Sequence, residues 1–377
     1  MIEIILIAAA VIYLIALLWL RAGLRDQSGV RTSSDLPAVT IVVSLHNEEK
    51  NLPSLIDCLQ KLEYPVEKLE FILINDRSSD RTGEILENLA QMHQNFKIFR
   101  INEVEPDFAP KKRAIDLAIR EALGEIILLT DADGRPGKDW VHAIVKYFSD
   151  DTGMVLGHAP YSSSSEETSF MIQLLRVEYF SHAAVAAATA GHGFPVTCVG
   201  TNLAYRKSVY LEIDGFGPLR HIHTGDDDLF LQRVRDETQW QIRYSFDPLS
   251  FVPNAPPGTW KQFYHQRLRY ASKGFVYPPG ITITLIAFYL FNLALFAILP
   301  ACAFGGFTLT ALLSILLIKL FADYQFLNTA STVFTFTLPG YLFPLASLLH
   351  IPYVLYFGFM ANFYRFEWGG IKHRPGG

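Results

Sequence analysis

Between Ile4 and Leu20, and again between Phe326 and Tyr364, this chain carries no Asp, Glu, Lys or Arg. A segment crossing the hydrocarbon core of a bilayer needs about 20 predominantly apolar residues, so such runs restrict the fold before any motif is considered. Nearly all the charge lies between residues 21 and 280. Half of the 377 residues are hydrophobic, too many for an ordinary soluble enzyme of that length. The uneven placement describes a polar body held between membrane segments.

Only Glu3 precedes the first run, with no basic n-region and no small-residue cleavage site, so residues 1–21 are expected to be a retained anchor. Arg21, Arg25 and Arg31 come directly after it, which by the positive-inside rule puts the body in the cytoplasm, at a cell inner membrane. Residues 281–322, broken near Pro300 and Gly305-Gly306, are long enough for two spans forming a hairpin. Pro339, Pro344 and Pro352 interrupt the uncharged run that begins at Phe326, giving one span near 340–361 preceded by an interfacial piece. The C-terminal membrane region, 281–364, thus holds about three spans. Three spans leave the tail, 365–377, outside, whereas Arg365, Lys372 and Arg374 argue for an inside tail. One segment is therefore re-entrant or the count is wrong.

A net charge of -5 with interspersed signs gives no clustered basic surface, so nucleic acid is not an expected partner. Cys58, Cys198 and Cys302 are odd in number and far apart, which indicates neither a disulfide framework nor a zinc site.

Within the body, expected over 36–257, Ala38–Ser44 is a β-branched run suited to a strand buried on both faces. Leu52, Leu55, Ile56, Leu59 and Leu62 then place one apolar stripe on a helix opening at Asn47. A second strand, Leu69–Ile74, leads into Asn75-Asp76-Arg77-Ser78-Ser79-Asp80, a turn and helix cap. Phe96–Ile101 and Glu125–Thr130 read as further strands with a helix near 111–122 between them. The fold class is α/β, a mostly parallel sheet covered by helices, in which ligands bind beyond the carboxyl ends of the strands. No G-x-G-x-x-G or Walker sequence occurs, which argues against dinucleotide oxidoreductases and P-loop NTPases.

Asp131-Ala132-Asp133 sets two carboxylates just after the last of these strands, hard ligands suited to Mg²⁺ or Mn²⁺. A solvated or capping Asp pair is the plainer alternative.

Six motifs occur in one order: His46-Asn47-Glu48-Glu49, Asn75-Asp76-Arg77-Ser78-Ser79-Asp80, Lys111-x-x-Ala114, Asp131-Ala132-Asp133, Gly225-Asp226-Asp227 and Gln266-x-x-Arg269-Tyr270. The ordered set, over residues 38–275, resembles glycosyltransferase family 2. That resemblance implies a Rossmann-like GT-A body and an inverting transfer of sugar from a nucleoside-diphosphate donor, UDP-linked by expectation, to a membrane-associated acceptor. It places His46, Glu48, Asp76 and Asp131 on the donor, with Asp131 and Asp133 on the metal. Glu48 is also readable as a helix-start carboxylate, and Asp76 as a turn former.

Lys111 would offset diphosphate charge, although Pro110 stands where the family has glycine; a solvated helix start is its alternative. Gly200, Thr201 and Asn202 resemble the segment lining the acceptor side, or form a plain strand with a turn. Asp227 would be the general base, with Asp226 the runner-up and an acidic helix turn the plainer reading. Gln266, Arg269 and Tyr270 would serve acceptor and diphosphate. The same segment, 258–280, suits an amphipathic helix at the lipid interface. The resemblance extends to lipid glycosyltransferases and to processive polysaccharide synthases; a lipid acceptor is favoured because three spans are few for a polymer channel. A nucleotidyltransferase would also use paired carboxylates on an α/β sheet, and a noncatalytic membrane scaffold is the remaining alternative.

Overall fold

The computed structural model describes residues 2–25, 35–162, 169–368 and 371–373. Arg31 and Arg374, expected to orient the chain, lie outside them. In chain order the first elements are α1 (Ile2–Gly23), β1 (Val39–Leu45), α2 (Leu52–Gln60), β2 (Leu69–Asp76), α3 (Thr82–Met92), β3 (Phe96–Ile101), α4 (Pro110–Glu121), β4 (Ile126–Leu129), α5 (Trp140–Val145) and β5 (Thr152–Leu156). Then come α6 (Phe170–Gly191), β6 (Leu203–Arg206), α7 (Lys207–Glu212), α8 (Asp228–Glu237), β7 (Gln241–Tyr244), α9 (Trp260–Ala271), α10 (Pro279–Ala303), α11 (Leu309–Val333), α12 (Phe343–Met360), β8 (Phe366–Trp368) and β9 (Ile371–His373).

The chain divides into a sheet unit, Asp26–Ser162 with Thr189–Pro256, and a helical unit, Met1–Arg25, Ser163–Ala188 and Pro257–Gly376. The body expected to run unbroken over 36–257 is therefore interrupted, because most of α6 groups with the helices. Its Phe180 ring stacks on Phe336, 4.2 Å between centroids, beyond the end of α11.

In the sheet unit, seven strands run in the order β3-β2-β1-β4-β6-β5-β7. β1 pairs in parallel with β2 and β4, and β2 with β3, while β6 is antiparallel to both β4 and β5. Val39, Ile41 and Val43 pack with Leu52, Leu55 and Leu59 of α2, and the same cluster takes in Leu86 of α3 and Trp140 of α5. On α4, Ala114, Ile115, Ala118 and Ile119 are buried where that helix packs against β1 and β2. With apolar side chains burying both faces, β1 reads as a continuous β-branched run rather than an alternating one.

One boundary differs from expectation. α2 opens at Leu52, not Asn47, because Asn47 has φ +58°, a left-handed conformation that cannot continue into a right-handed helix. Its Oδ1 instead accepts from Ser79 N at 2.8 Å, and its own N–H donates to Ser78 Oγ at 3.0 Å.

In the helical unit, α1, α10, α11 and α12 are each long and apolar enough to cross a membrane. Glu3 Oε1 accepts from Thr308 N at 2.7 Å, Tyr13 OH donates to Asp323 Oδ1 at 2.5 Å, and Arg21 Nε donates to Thr329 Oγ1 at 2.8 Å. Partner numbers rise together, so α1 lies along α11 in the same direction. The helix runs past 322, where the second span was expected to close, to Val333, so the first part of the piece expected at the interface is helical too. Ala322, Phe326, Leu327 and Ala330 keep a buried helical stripe through that stretch.

The continuation holds a charged pair. Lys319 Nζ donates to Asp323 Oδ2 at 2.6 Å and to Ser347 O and Oγ at 3.2 and 3.0 Å, and Ser347 Oγ also contacts Asp323. All three ammonium donors find acceptors, which such a group requires at a site shielded from water.

Candidate active site

At the carboxyl ends of β1 and β2, two turns hold each other. His46 Nδ1 lies 2.6 Å from Asp76 O, Glu48 N donates to Thr82 Oγ1 at 2.8 Å, and Glu49 N donates to Asp80 Oδ2 at 3.1 Å. Asp76 is buried, and its carboxylate receives both arms of the Arg77 guanidinium, Nε at 2.7 Å and Nη2 at 2.9 Å. Nothing in the sequence singles out Arg77. Its φ of +54° turns the chain so that its side chain folds back over the preceding residue. The half-buried Glu48 accepts from Asn51 Nδ2 at 2.7 Å. Burial raises its pKa, Asn51 works against that, and Asp131 adds to it.

The second cluster joins four stretches of sequence. Lys111, in the first turn of α4, places its ammonium between Asp131 Oδ1 at 2.9 Å and Asp226 Oδ2 at 2.8 Å. Burial opposes its charge, but the two carboxylates outweigh burial and hold the ammonium well above the usual lysine range. A solvated helix start is thereby replaced by a bridging cation. The neighbouring Lys112 is buried and donates to Leu219 O at 2.8 Å. Asp131 Oδ2 also accepts from Thr201 Oγ1 at 2.6 Å.

Asp227 caps α8. Its Oδ1 accepts from Asp228 N at 2.7 Å and its Oδ2 from Gly200 N at 3.0 Å. Gly225 has φ +71°, and a Cβ there would meet Leu229 Cγ at 2.5 Å, so the turn delivering Asp226 and Asp227 requires glycine. The helix-turn reading and the site reading thus hold together: Asp226 and Asp228 are buried, and Asp227 is partly exposed.

Asn202, expected on the acceptor side, has its side chain engaged beneath the site. Trp140 Nε1 donates to its Oδ1 at 3.0 Å, while its Nδ2 donates to His158 O and Ser250 O, each at 2.8 Å. No donor position of that amide remains for a substrate, so Asn202 braces the segment that carries Gly200 and Thr201. Arg135 is a second support that the sequence does not mark; its Nη1 donates to Ala132 O and Gly134 O at 2.9 and 2.8 Å, pinning the acidic loop. Gln266, Arg269 and Tyr270 belong to α9, in the helical unit rather than the sheet unit.

Among the described residues no three His, Cys, Asp or Glu side chains form a ready cage for a metal. Magnesium-type ions, however, are commonly held by one or two carboxylates together with substrate phosphates. Burial, then the neighbouring Asp131 charge, pushes Asp133 up to about 6, with Glu48 contributing further. Such crowding of negative charge beyond what Lys111 balances is what a hard divalent cation relieves, so the donor set of Asp131 and Asp133 fits one.

The family description "Glycosyl transferase family 2" matches residues 40–213. Among curated relatives, the probable glycosyltransferase YdaM of Bacillus subtilis is 26% identical over 63% of this chain and 55% of that protein. The beta-monoglucosyldiacylglycerol synthase of Synechocystis is 29% identical over 33% of this chain and 26% of its own. The poly-beta-1,6-N-acetyl-D-glucosamine synthase of Staphylococcus aureus is 23% identical over 64% and 55%. The alignments thus span about half or less of these relatives' lengths. The solved structure of the mannosyltransferase PcManGT from Pyrobaculum calidifontis, in complex with GDP-Man and Mn²⁺, shares the fold, with a TM-score of 0.60 at 20% identity over 94% of this chain and 99% of that one. Six ordered motifs, the helix-covered sheet on which five of them sit, and the curated relatives agree with the match over residues 40–213: that stretch carries a glycosyltransferase family 2 domain.

Proposed function

We propose that this protein transfers a sugar from a nucleoside-diphosphate donor to a hydroxyl of a membrane lipid, with inversion at the anomeric carbon. The observation carrying the reading is the meeting of Lys111, Asp131, Thr201, Asp226 and Asp227, brought from four separate stretches within direct hydrogen-bond or ion-pair reach of one another. Asp227, the one partly exposed carboxylate of its trio, removes the proton from the acceptor hydroxyl as the oxygen attacks the face opposite the nucleotide. Two backbone N–H groups fix the orientation of that carboxylate. Lys111 supplies a fixed positive charge beside the diphosphate, and Thr201 and Arg135 hold Asp131 and its loop in place. Glu48, His46 and Asp76 take the nucleoside, with the Arg77 fork setting how much of the Asp76 carboxylate is offered. A bound Mg²⁺ or Mn²⁺ at Asp131 and Asp133 would add electrostatic stabilisation of the leaving diphosphate.

Four helices able to cross a bilayer support a membrane acceptor, and so does the likeness to a synthase named for a glucosyl lipid. The likeness to a polysaccharide synthase, aligned over more of this chain, keeps polymer formation as the second reading. In either case the catalytic residues are expected on the cytoplasmic side.

The test is to incubate detergent-purified protein with UDP- and GDP-sugars, Mg²⁺ or Mn²⁺ and a total membrane-lipid extract, then to analyse products by mass spectrometry and nucleotide chromatography. Single glycosyl additions to a lipid with release of nucleoside diphosphate are expected, and an inverted anomeric configuration by NMR. A ladder of repeating sugar masses would select the polymer reading. Release of pyrophosphate would identify a nucleotidyltransferase instead.

A further inference from the structure

We propose that Glu178, on α6, is a positioning residue for acceptor recognition: it fixes Arg267, and through Arg267 both ends of the Gln266–Tyr270 motif. This rests on the reading of that motif as the acceptor-binding element.

The Arg267 side chain is wholly buried, 0% exposed, and Glu178 nearly so at 14%. A basic residue on a helix lying at a lipid surface ordinarily turns its charge outward to headgroups, and Arg267 does the opposite. Its Nη2 donates to Glu178 Oε2 in a very short contact, and its Nη1 donates to Gln266 Oε1 at 2.7 Å. The guanidinium also lies 5.5 Å from the ring centroid of Tyr270 and 5.0 Å from that of Phe263. One side chain therefore touches the first and the last residue of the motif.

Glu178 is held in its turn. Oε1 accepts from Tyr353 OH on α12 at 2.9 Å and lies 3.4 Å from His182 Nε2, whose ring approaches Tyr270 at 6.5 Å between centroids. Three helices thus meet at one carboxylate.

Stability alone does not call for such an arrangement, since a buried ion pair can be replaced by apolar side chains of similar volume without loss. What the charged pair adds is direction. A planar guanidinium gripped by a carboxylate has a fixed orientation, and so does the Gln266 amide bonded to it. Among the described residues the Glu178 carboxylate contacts Arg267, Tyr353 and His182, with His350 nearby, none of them a residue placed on the nucleoside, so its effect falls on the acceptor.

The experiment compares the full-length protein with Glu178→Gln, Glu178→Asp and Tyr353→Phe, varying the mole fraction of a total membrane-lipid extract in detergent micelles at saturating donor. Wild type comes first, and failure to transfer any sugar there removes the functional reading itself before a variant is made. Given wild-type transfer, Glu178→Gln should raise the half-saturating lipid fraction about tenfold while nucleotide affinity stays within about twofold, and Glu178→Asp should restore most of the loss. Partial unfolding would give a different pattern, lowering the maximal rate through a smaller active fraction at unchanged half-saturation. A half-saturating fraction within about twofold of wild type overturns the proposal, whatever the maximal rate. Where Glu178→Gln yields no folded protein, Tyr353→Phe decides, with about a threefold rise expected and no change overturning the proposal.

Discussion

Asp227 differs from Asp226 and Asp228 in being partly exposed, and its two oxygens are steered by the N–H groups of Gly200 and Asp228. Asp227→Asn keeps the shape and, through its remaining oxygen, the helix cap, gives up the bond from Gly200 N, and cannot take up a proton at neutral pH. It should lower initial transfer rates by about 10² to 10⁴-fold, the usual contribution of a general base, with nucleotide affinity by calorimetry nearly unchanged. Full turnover would move the role to Asp226. Lys111→Met should act on stability as well, because it leaves Asp226 buried without its counter-charge, at a cost of about 3 kcal/mol in denaturant titration. Adding Asp226→Asn should recover part of that loss, since the two residues are coupled. In the sequence, Asp76 and Asp131 stand out because each follows a strand-like apolar run, whereas Lys111, Asp226 and Asp227 are marked by their places in the ordered motif set. Asn202 is not, because its role is set by Trp140, 62 positions away, and nothing local marks an amide engaged on all sides. Arg77 and Arg135 escape notice for a related reason: each braces a neighbour that carries the motif, and a brace has no pattern of its own.

Among the elements, β3 is legible to the residue and β2 and α4 nearly so, since apolar periodicity bounded by turn residues fixes such segments. The start of α2 is not. The apolar stripe begins at Leu52 and says nothing about Asn47, whose backbone is set by Ser78 and Ser79 of another turn. In α11 the helix continues past 322, where the sequence reading stopped, because the Asp323 charge looks like a border until its partners on α1 and α12 are known. Lys319→Met should cost about 3 to 5 kcal/mol, as an uncompensated Asp323 would remain in an apolar setting, and Lys319→Met with Asp323→Leu should recover most of it. Detergent-unfolding titrations followed by tryptophan fluorescence measure both. Equal losses in the single and double variants would mean that the pair does not act as a unit.

For the molecule as a whole, the conflict between span parity and the basic tail turns on what flanks α12. Before it, Tyr341 OH donates to Gln173 Oε1 of α6 at 2.6 Å, and near its end Phe357 meets Phe263 of α9, 5.8 Å between ring centroids. Beyond it, Glu367 N donates to His265 Nδ1 of α9 at 3.1 Å. Since α6 and α9 are joined through Glu178 and Arg267, we propose that α12 is the re-entrant segment and leaves and returns on one side. A C-terminal epitope tag and a single cysteine placed at Arg25 should therefore be reached together, or protected together, by impermeant reagents in sealed vesicles. Opposite accessibility would make α12 a complete crossing. The Tyr13–Asp323 bond has a separate consequence, for synthesis. Its partners are 310 positions apart, so the first helix leaves the ribosome long before the helix it lies along exists. Until then α1 waits without that neighbour, and a nascent chain arrested before Thr308 can engage it through α10, whose Phe288 and Phe291 stack on Tyr13, but not through α11.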